Sequence, residues 1–194
     1  MRPAQRRRPD GYELGDSLTF GAGTDADFAG ADAAPELAAA ERALELAGGD
    51  PRRALLAAEE LLAKRALPVE ARVVAQRAAG LAELELGRVG AARARFERAK
   101  GEALAAGLGA RAAEIQLGLA ITLLQCEEPD AAMAEIDAAL GQVSDPATLG
   151  KAQSQRATIL MRLGRYPEAL EQSATALDTC RSAGLDRTVA RLLS

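Results

Sequence analysis

The chain of 194 residues has no histidine, no tryptophan and no asparagine. Without an imidazole there is no serine–histidine or cysteine–histidine nucleophile pair, no histidine general base and no histidine metal ligand. Aromatic residues number five: Tyr12, Phe20, Phe28, Phe96 and Tyr166. A core of ordinary size must then come from leucine and alanine. The two cysteines, Cys126 and Cys180, lie 54 positions apart with no CxxC. That spacing fits neither a disulfide framework nor a zinc site, and both thiols are expected to be reduced and structural. No window approaches the roughly 18 apolar residues of a membrane span. Arg2, Arg6, Arg7 and Arg8 are followed by Gly, Asp and Glu instead of an apolar h-region, so no secretory signal is read and the expected location is cytoplasmic.

Several activities lack their chemistry. The glycines never form GxGxxG after a strand or a Walker loop, and the pairs Glu59-Glu60 and Glu127-Glu128 lack metal-ligand spacing. No catalytic residue, cofactor or metal is expected. The net charge of −4 argues against a surface that tracks nucleic-acid phosphates. Arginine outnumbers lysine 21 to 3, which reads as the codon bias of a GC-rich genome. A basic run on one expected helix, Arg88, Arg93, Arg95, Arg98 and Lys100, is interspersed with Glu97 and Glu102. It reads as a solvated outer face or, alternatively, as a patch for an acidic partner.

What is present is alanine, leucine and regular punctuation. Alanine and leucine are the strongest helix formers and β-branched residues are scarce, so the fold class is all-α. Residues 1–33 form an expected disordered tail: from Asp10 to Glu36 there are seven acids and no base, with glycines throughout. Tyr12, Phe20 and Phe28 are spaced by eight within it. They belong either to a flexible tail without mechanism or to a short motif that docks in this protein's own groove or on a partner. Residues 34–194 form the helical domain. Beyond the tail, Pro35, Pro51, Pro68, Pro129, Pro146 and Pro167 fall where helices should begin, with Asp50 and Asp145 as N-caps. Gly48-Gly49, Gly87, Gly107, Gly141, Gly164 and Gly184 close the preceding segments. This predicts helices over 35–47, 51–65, 69–86, 89–106, 109–125, 129–141, 146–163 and 167–183, with a ninth beginning at 186.

Ala54, Ala92, Ala132 and Ala169, each five positions into a hairpin turn, recur at intervals of 38, 40 and 37. A two-helix period in this range is the mark of a solenoid whose hairpins bury their apolar faces against one another. The residues resemble the tetratricopeptide repeat (TPR) family. The second hairpin carries Gly80, Gly87, Ala92, Phe96 and Ala99, and the third Leu119-Ala120, Leu123, Ala132, Ile136 and Ala139. The fourth carries Ala157, Leu160, Gly164, Tyr166, Ala169 and Ala176, while the first keeps only Gly49, Ala54 and Leu61. Gln76, Gln116 and Gln153 stand at the family's tryptophan position, and Glu83 replaces a usual aromatic. The LGR turn style over 35–194 also resembles the N-terminal arrays of actinobacterial CHAT-domain proteins and of bacterial transcriptional regulators. The caspase-like peptidase part itself would need a histidine, which this sequence lacks.

The TPR resemblance implies a right-handed solenoid of about four hairpins and a non-enzymatic protein-interaction role. The first helix of each hairpin would line a concave groove. Carried over position by position, that groove is formed by Val74, Arg77, Leu81 and Leu84, then Glu114, Leu117, Ile121 and Leu124, then Lys151, Ser154, Thr158, Met161 and Arg162. The family's lysine/asparagine clamp for a peptide terminus is missing, since there is no asparagine. An apolar strip with basic margins suits an amphipathic helix or an extended apolar segment; a register shift of one position would instead place several of these leucines between helices. The alternative role is the regulatory array of a CHAT-type peptidase or transcription regulator. Expected partners are thus a protein or peptide, the chain's own tail, or a separate effector domain. Residues 186–193 read as the start of a fifth hairpin whose open end could join copies of the chain.

Overall fold

A computed structural model describes the backbone of residues 25–184 and the side chains of residues 34–184. It contains eight helices: α1 Asp25–Leu46, α2 Pro51–Leu62, α3 Val69–Glu85, α4 Val89–Ala105, α5 Gly109–Gln125, α6 Pro129–Leu140, α7 Pro146–Arg162 and α8 Tyr166–Ser182. There is no strand among the described residues. The helices pair as α1–α2, α3–α4, α5–α6 and α7–α8. Each odd helix also packs on the odd helix of the next hairpin, and α2, α4 and α6 pack on the odd helix that follows them. This is the stacking of a TPR-like helical repeat.

The punctuation works at most of its expected positions. The Asp50 carboxylate accepts from the Arg53 N–H at 3.1 Å, and that of Asp145 from the Thr148 N–H at 2.8 Å. Those two backbone groups lose their partners at a helix start, so the caps replace them. Pro51, Pro129 and Pro146 open α2, α6 and α7, and Pro167 is the second residue of α8. Pro68 stands just before α3, which starts at Val69 as expected, and one proline differs: Pro35 lies inside α1. Helix α1 starts at Asp25, ten residues earlier than expected, so part of the 1–33 segment has helical backbone. The alanines of 26–34 supply helix propensity that the count of acids and glycines concealed. Tyr12, Phe20 and the segment 186–193 lie outside the described residues.

The turn inside each later hairpin repeats one device. Gly87 and Gly164 have φ of 73° and 72°, the left-handed region where a Cβ is penalised. The next N–H, from Arg88 or Arg165, reaches back to the carbonyl of Glu83 or Leu160 at 2.8 and 2.9 Å. At the same place in the third hairpin stands Glu127, at φ 60°, with the Glu128 N–H on the Leu123 carbonyl at 2.9 Å. Glu127→Gly should therefore raise stability by about 1 kcal/mol, read as a higher urea midpoint at unchanged slope. A fall would show that the Glu127 side chain contributes more than the backbone strain costs.

The core is alanine with a few large plugs. Ala54, Ala92, Ala132 and Ala169 are all buried, as their periodicity predicts. Phe96 of α4 is fully buried between α3 and α5, where it lies against Gly80 and Gly118. A Cβ on either glycine would stand 2.9 or 2.7 Å from its ring. In the last hairpin Cys180 plays the matching part, its Sγ 2.7 Å from where a Cβ on Gly150 would sit. Cys180 is buried and Cys126 half-buried, and neither is in a disulfide.

Two of the three glutamines in place of tryptophan are explained by the second helices. Gln76 donates to Glu102 at 3.1 Å and Gln116 to Glu135 at 3.2 Å, so polar contacts hold each hairpin where an indole would pack. Two clefts of about 420 and 500 Å3 remain open beside Gln76 and Gln153.

Candidate protein-binding face

The odd helices α1, α3, α5 and α7 share one face, and side chains of α1, α3 and α5 form a charged network on it. Arg77 of α3 donates to Glu114 of α5 at 3.0 Å. Arg111 of α5 reaches Glu70 of α3 at 3.0 Å and Glu41 of α1 at 2.9 Å, so one guanidinium ties three hairpins together. Burial opposes the charge on Arg77 and lowers its pKa, with Glu114 pulling the other way and Arg111 adding to the fall. Burial also opposes the charge on Arg111, but hydrogen bonds to Glu70 and Glu41 outweigh it and leave the pKa raised. These groups are already partnered, so this part of the face has little unmet charge for a ligand to satisfy.

The C-terminal halves are apolar. Leu81, Leu84, Ile121 and Leu124 are half-buried, and a cleft of about 340 Å3 opens between α5 and α7. Its α5 wall is Ala120, Ile121, Leu124 and Gln125; its α7 wall is Ser154, Gln155, Thr158, Ile159 and Arg162. Leu124 and Arg162 continue into a smaller hollow of about 240 Å3 with Glu127 and Pro129. Arg162 is exposed and forms no ion pair with any described residue. The cleft thus offers a partly apolar floor with the Arg162 guanidinium at one edge.

Of the thirteen residues expected on this face, the structure gathers Ile121, Leu124, Ser154, Thr158 and Arg162 around the cleft. Leu81 and Leu84 lie against the central cluster with part of their surface open. Arg77 is absorbed into the charged network, and Met161 is exposed outside the cleft lining. Two expectations are corrected. Val74 packs among Ala40, Leu61, Leu67, Ala71 and Ala75, and Leu117 belongs to the central cluster; both are buried and cannot meet a partner. Both lie on the same side of their helices as the more open residues: Val74 is four after Glu70 and seven before Leu81, and Leu117 is three after Glu114 and four before Ile121. What buries them is coverage by neighbours, Ala40 and Leu61 over Val74 and the central cluster around Leu117. Of the leucines named, the register alternative applies to Leu117; Ser154 at the cleft is buried as well.

Gln125, Gln155 and Ile159 were not expected at the site. Gln125 follows Ile121 by four and Ile159 follows Gln155 by four, so a groove drawn one residue wider would have included them. The Gln155 Oε1 is buried with no hydrogen-bond partner among the described residues.

The opposite face, built by the even helices, has its charges matched across hairpins. Arg95 of α4 pairs with Glu59 of α2, Arg93 reaches Glu128 at 2.7 Å, and Lys100 reaches Glu135 of α6 at 2.5 Å. Most of the basic run is therefore neutralised inside the repeat, which supports the outer-face reading over an acidic-partner patch. No described helix is long and apolar enough to cross a membrane.

By hairpin pairing and turn geometry the protein is a TPR-like helical repeat. No family model matches the sequence, and no curated protein matches it either. A solved structure of MamA AMB-1, in its P212121 form, is similar at 17% identity over 74% of this chain and 91% of that one, with a TM-score of 0.31. At that TM-score the superposition establishes neither a shared site nor a shared role.

Proposed function

We propose that the protein is a non-enzymatic interaction scaffold that takes an amphipathic helix or an extended apolar segment into the cleft between α5 and α7. The observation that carries this reading is the pairing of an apolar cleft, floored by the half-buried Ile121 and Leu124, with Arg162 at its edge in no ion pair with a described residue. An apolar side chain of the partner would fill the cleft and a neighbouring carboxylate would meet Arg162. The face is held by cross-hairpin ion pairs, so little side-chain entropy is lost when a partner docks.

A photo-crosslinking residue placed at Thr158 of the full chain tests this in cells. Partner adducts should form there, fall at least about tenfold when Ile121→Glu is added, and be absent when the crosslinker replaces exposed Leu104 on α4. Equal adducts at both positions, or none at Thr158, would overturn the reading; unchanged helicity of the Ile121→Glu chain shows that folding is intact. Cytoplasmic location belongs to the same proposal.

A second proposal follows from the turn style, which resembles CHAT-associated arrays. There the repeats would be the regulatory part of a caspase-like peptidase or a transcriptional regulator. DNA downstream of the gene that encodes a histidine/cysteine peptidase domain would support it, and unrelated genes there would remove it.

A further inference from the structure

We propose that the α5–α7 cleft is occupied in the resting protein by the chain's own N-terminal segment, with the Tyr12 ring in the cleft and Asp10 or Glu13 against Arg162. This rests on the reading of that cleft as a binding site. The segment has the matching chemistry. Between Asp10 and the start of α1 there are three carboxylates, Asp10, Glu13 and Asp16, and no basic residue. Tyr12 is flanked by acids at −2 and +1, so a ring seated among Ile121, Leu124 and Thr158 brings a carboxylate next to the one cleft cation. A cleft of about 340 Å3 accepts a single aromatic side chain.

The reach selects which aromatic can enter. The repeat intervals place Ala43 of α1 level with Leu81, Ile121 and Thr158. From Asp25 to Ala43 the helix axis advances roughly 27 Å. From α1 across to the middle of the α5–α7 cleft is two and a half helix spacings, roughly 23 Å. The combined distance is about 35 Å. Thirteen residues from Tyr12 to Asp25 extend to about 44 Å, enough to arrive with slack, whereas five residues from Phe20 extend to only about 17 Å. Tyr12 reaches the cleft and Phe20 does not. A tether of this length supplies an effective concentration on the order of millimolar, so weak intrinsic contact suffices for occupancy and a true partner must displace the segment.

The absence of tryptophan makes the test direct, because Tyr166→Phe leaves Tyr12 as the only tyrosine in the full chain. Acrylamide quenching of its emission should be about threefold weaker in the folded chain than in urea, the ratio for about two thirds of molecules holding the ring shielded. Arg162→Glu and Ile121→Glu should each restore the stronger quenching, and Arg162→Lys should preserve the shielding. Arg162 is exposed, so its variants leave the fold in place, which circular dichroism checks. Quenching as strong as in urea overturns the inference; if Thr158 crosslinks to a partner still form, the cleft reading survives that failure. Shielding that ignores both cleft substitutions places the ring elsewhere, and shielding that grows with protein concentration assigns the cleft to a second copy. Either result overturns it.

Discussion

Gly118→Ala should lower stability by up to about 2 kcal/mol, although alanine is the better helix former. The intrinsic gain of Gly→Ala in a helix interior is about 1 kcal/mol. Against it stands a Cβ placed 2.7 Å from the ring of Phe96, which is fully buried and hemmed on its other side by Gly80. Overpacking of that kind costs about 1–3 kcal/mol, and here the ring has no empty side to move into. Urea unfolding should show the loss as a lower midpoint. The diagnostic is a change of sign: in a Phe96→Leu background the close contact is gone, and Gly118→Ala should then stabilise by about 0.5–1 kcal/mol. Gly101 of α4 is the control, since a Cβ there meets nothing within 4 Å and Gly101→Ala should simply gain about 1 kcal/mol. A destabilising Gly118→Ala in both backgrounds would place its cost somewhere other than Phe96.

Glu83→Leu should have the opposite effect and raise stability by about 1–3 kcal/mol at neutral pH. Glu83 is buried at 6% exposure on the inner side of α3, with the Arg95 Nε 3.7 Å from one oxygen and the other oxygen unpartnered. Leu123 and Leu160 occupy the same place in the next two hairpins, so a leucine fits that environment. Arg95 retains Glu59 after the change. Burial pushes the Glu83 pKa up, against the pull of Arg95 and with a further push from Glu59. The folded-state pKa thus lies above the unfolded one. The folded chain holds that proton more tightly, and the stabilising contribution is present below the unfolded value near pH 4 and lost as pH rises through the folded value. The advantage of Glu83→Leu should be full at pH 7 and shrink towards pH 4. Urea midpoints of both chains at the two pH values measure it. An equal gain at both would assign the effect to packing alone, and a loss at pH 7 would show that the Arg95 pair outweighs desolvation.

Much of the fold was legible because its signals are local. Proline, aspartate and glycine act within one helical turn, and seven of the eight helices begin within one residue of where that punctuation put them, while α2 is shorter at its end. Helix α1 escaped because its leading stretch carries helix propensity in alanine and contrary signals in acids and glycine, and Pro35 is tolerated within it. The candidate site was half legible. Ile121, Leu124, Ser154 and Thr158 came from counting along the repeat, but Val74 and Leu117, on the same helix faces as Leu81 and Ile121, are covered by packed neighbours. Counting gives the face a residue occupies, and which parts of that face a neighbouring helix covers depends on how the hairpins stack.

By itself the sequence determined the all-helical class, the hairpin period, the caps and the absence of histidine chemistry, since each depends on residue type and short-range spacing. Tertiary structure decided the partnerships. It alone shows that Arg77, Arg111 and their acids satisfy one another, that Phe96 is wedged between two glycines 38 positions apart, and that Arg162 stands beside an apolar cleft with no ion pair to a described residue. Those facts depend on distances between hairpins, which are set by how the helices stack and are not encoded in the spacing within any one of them.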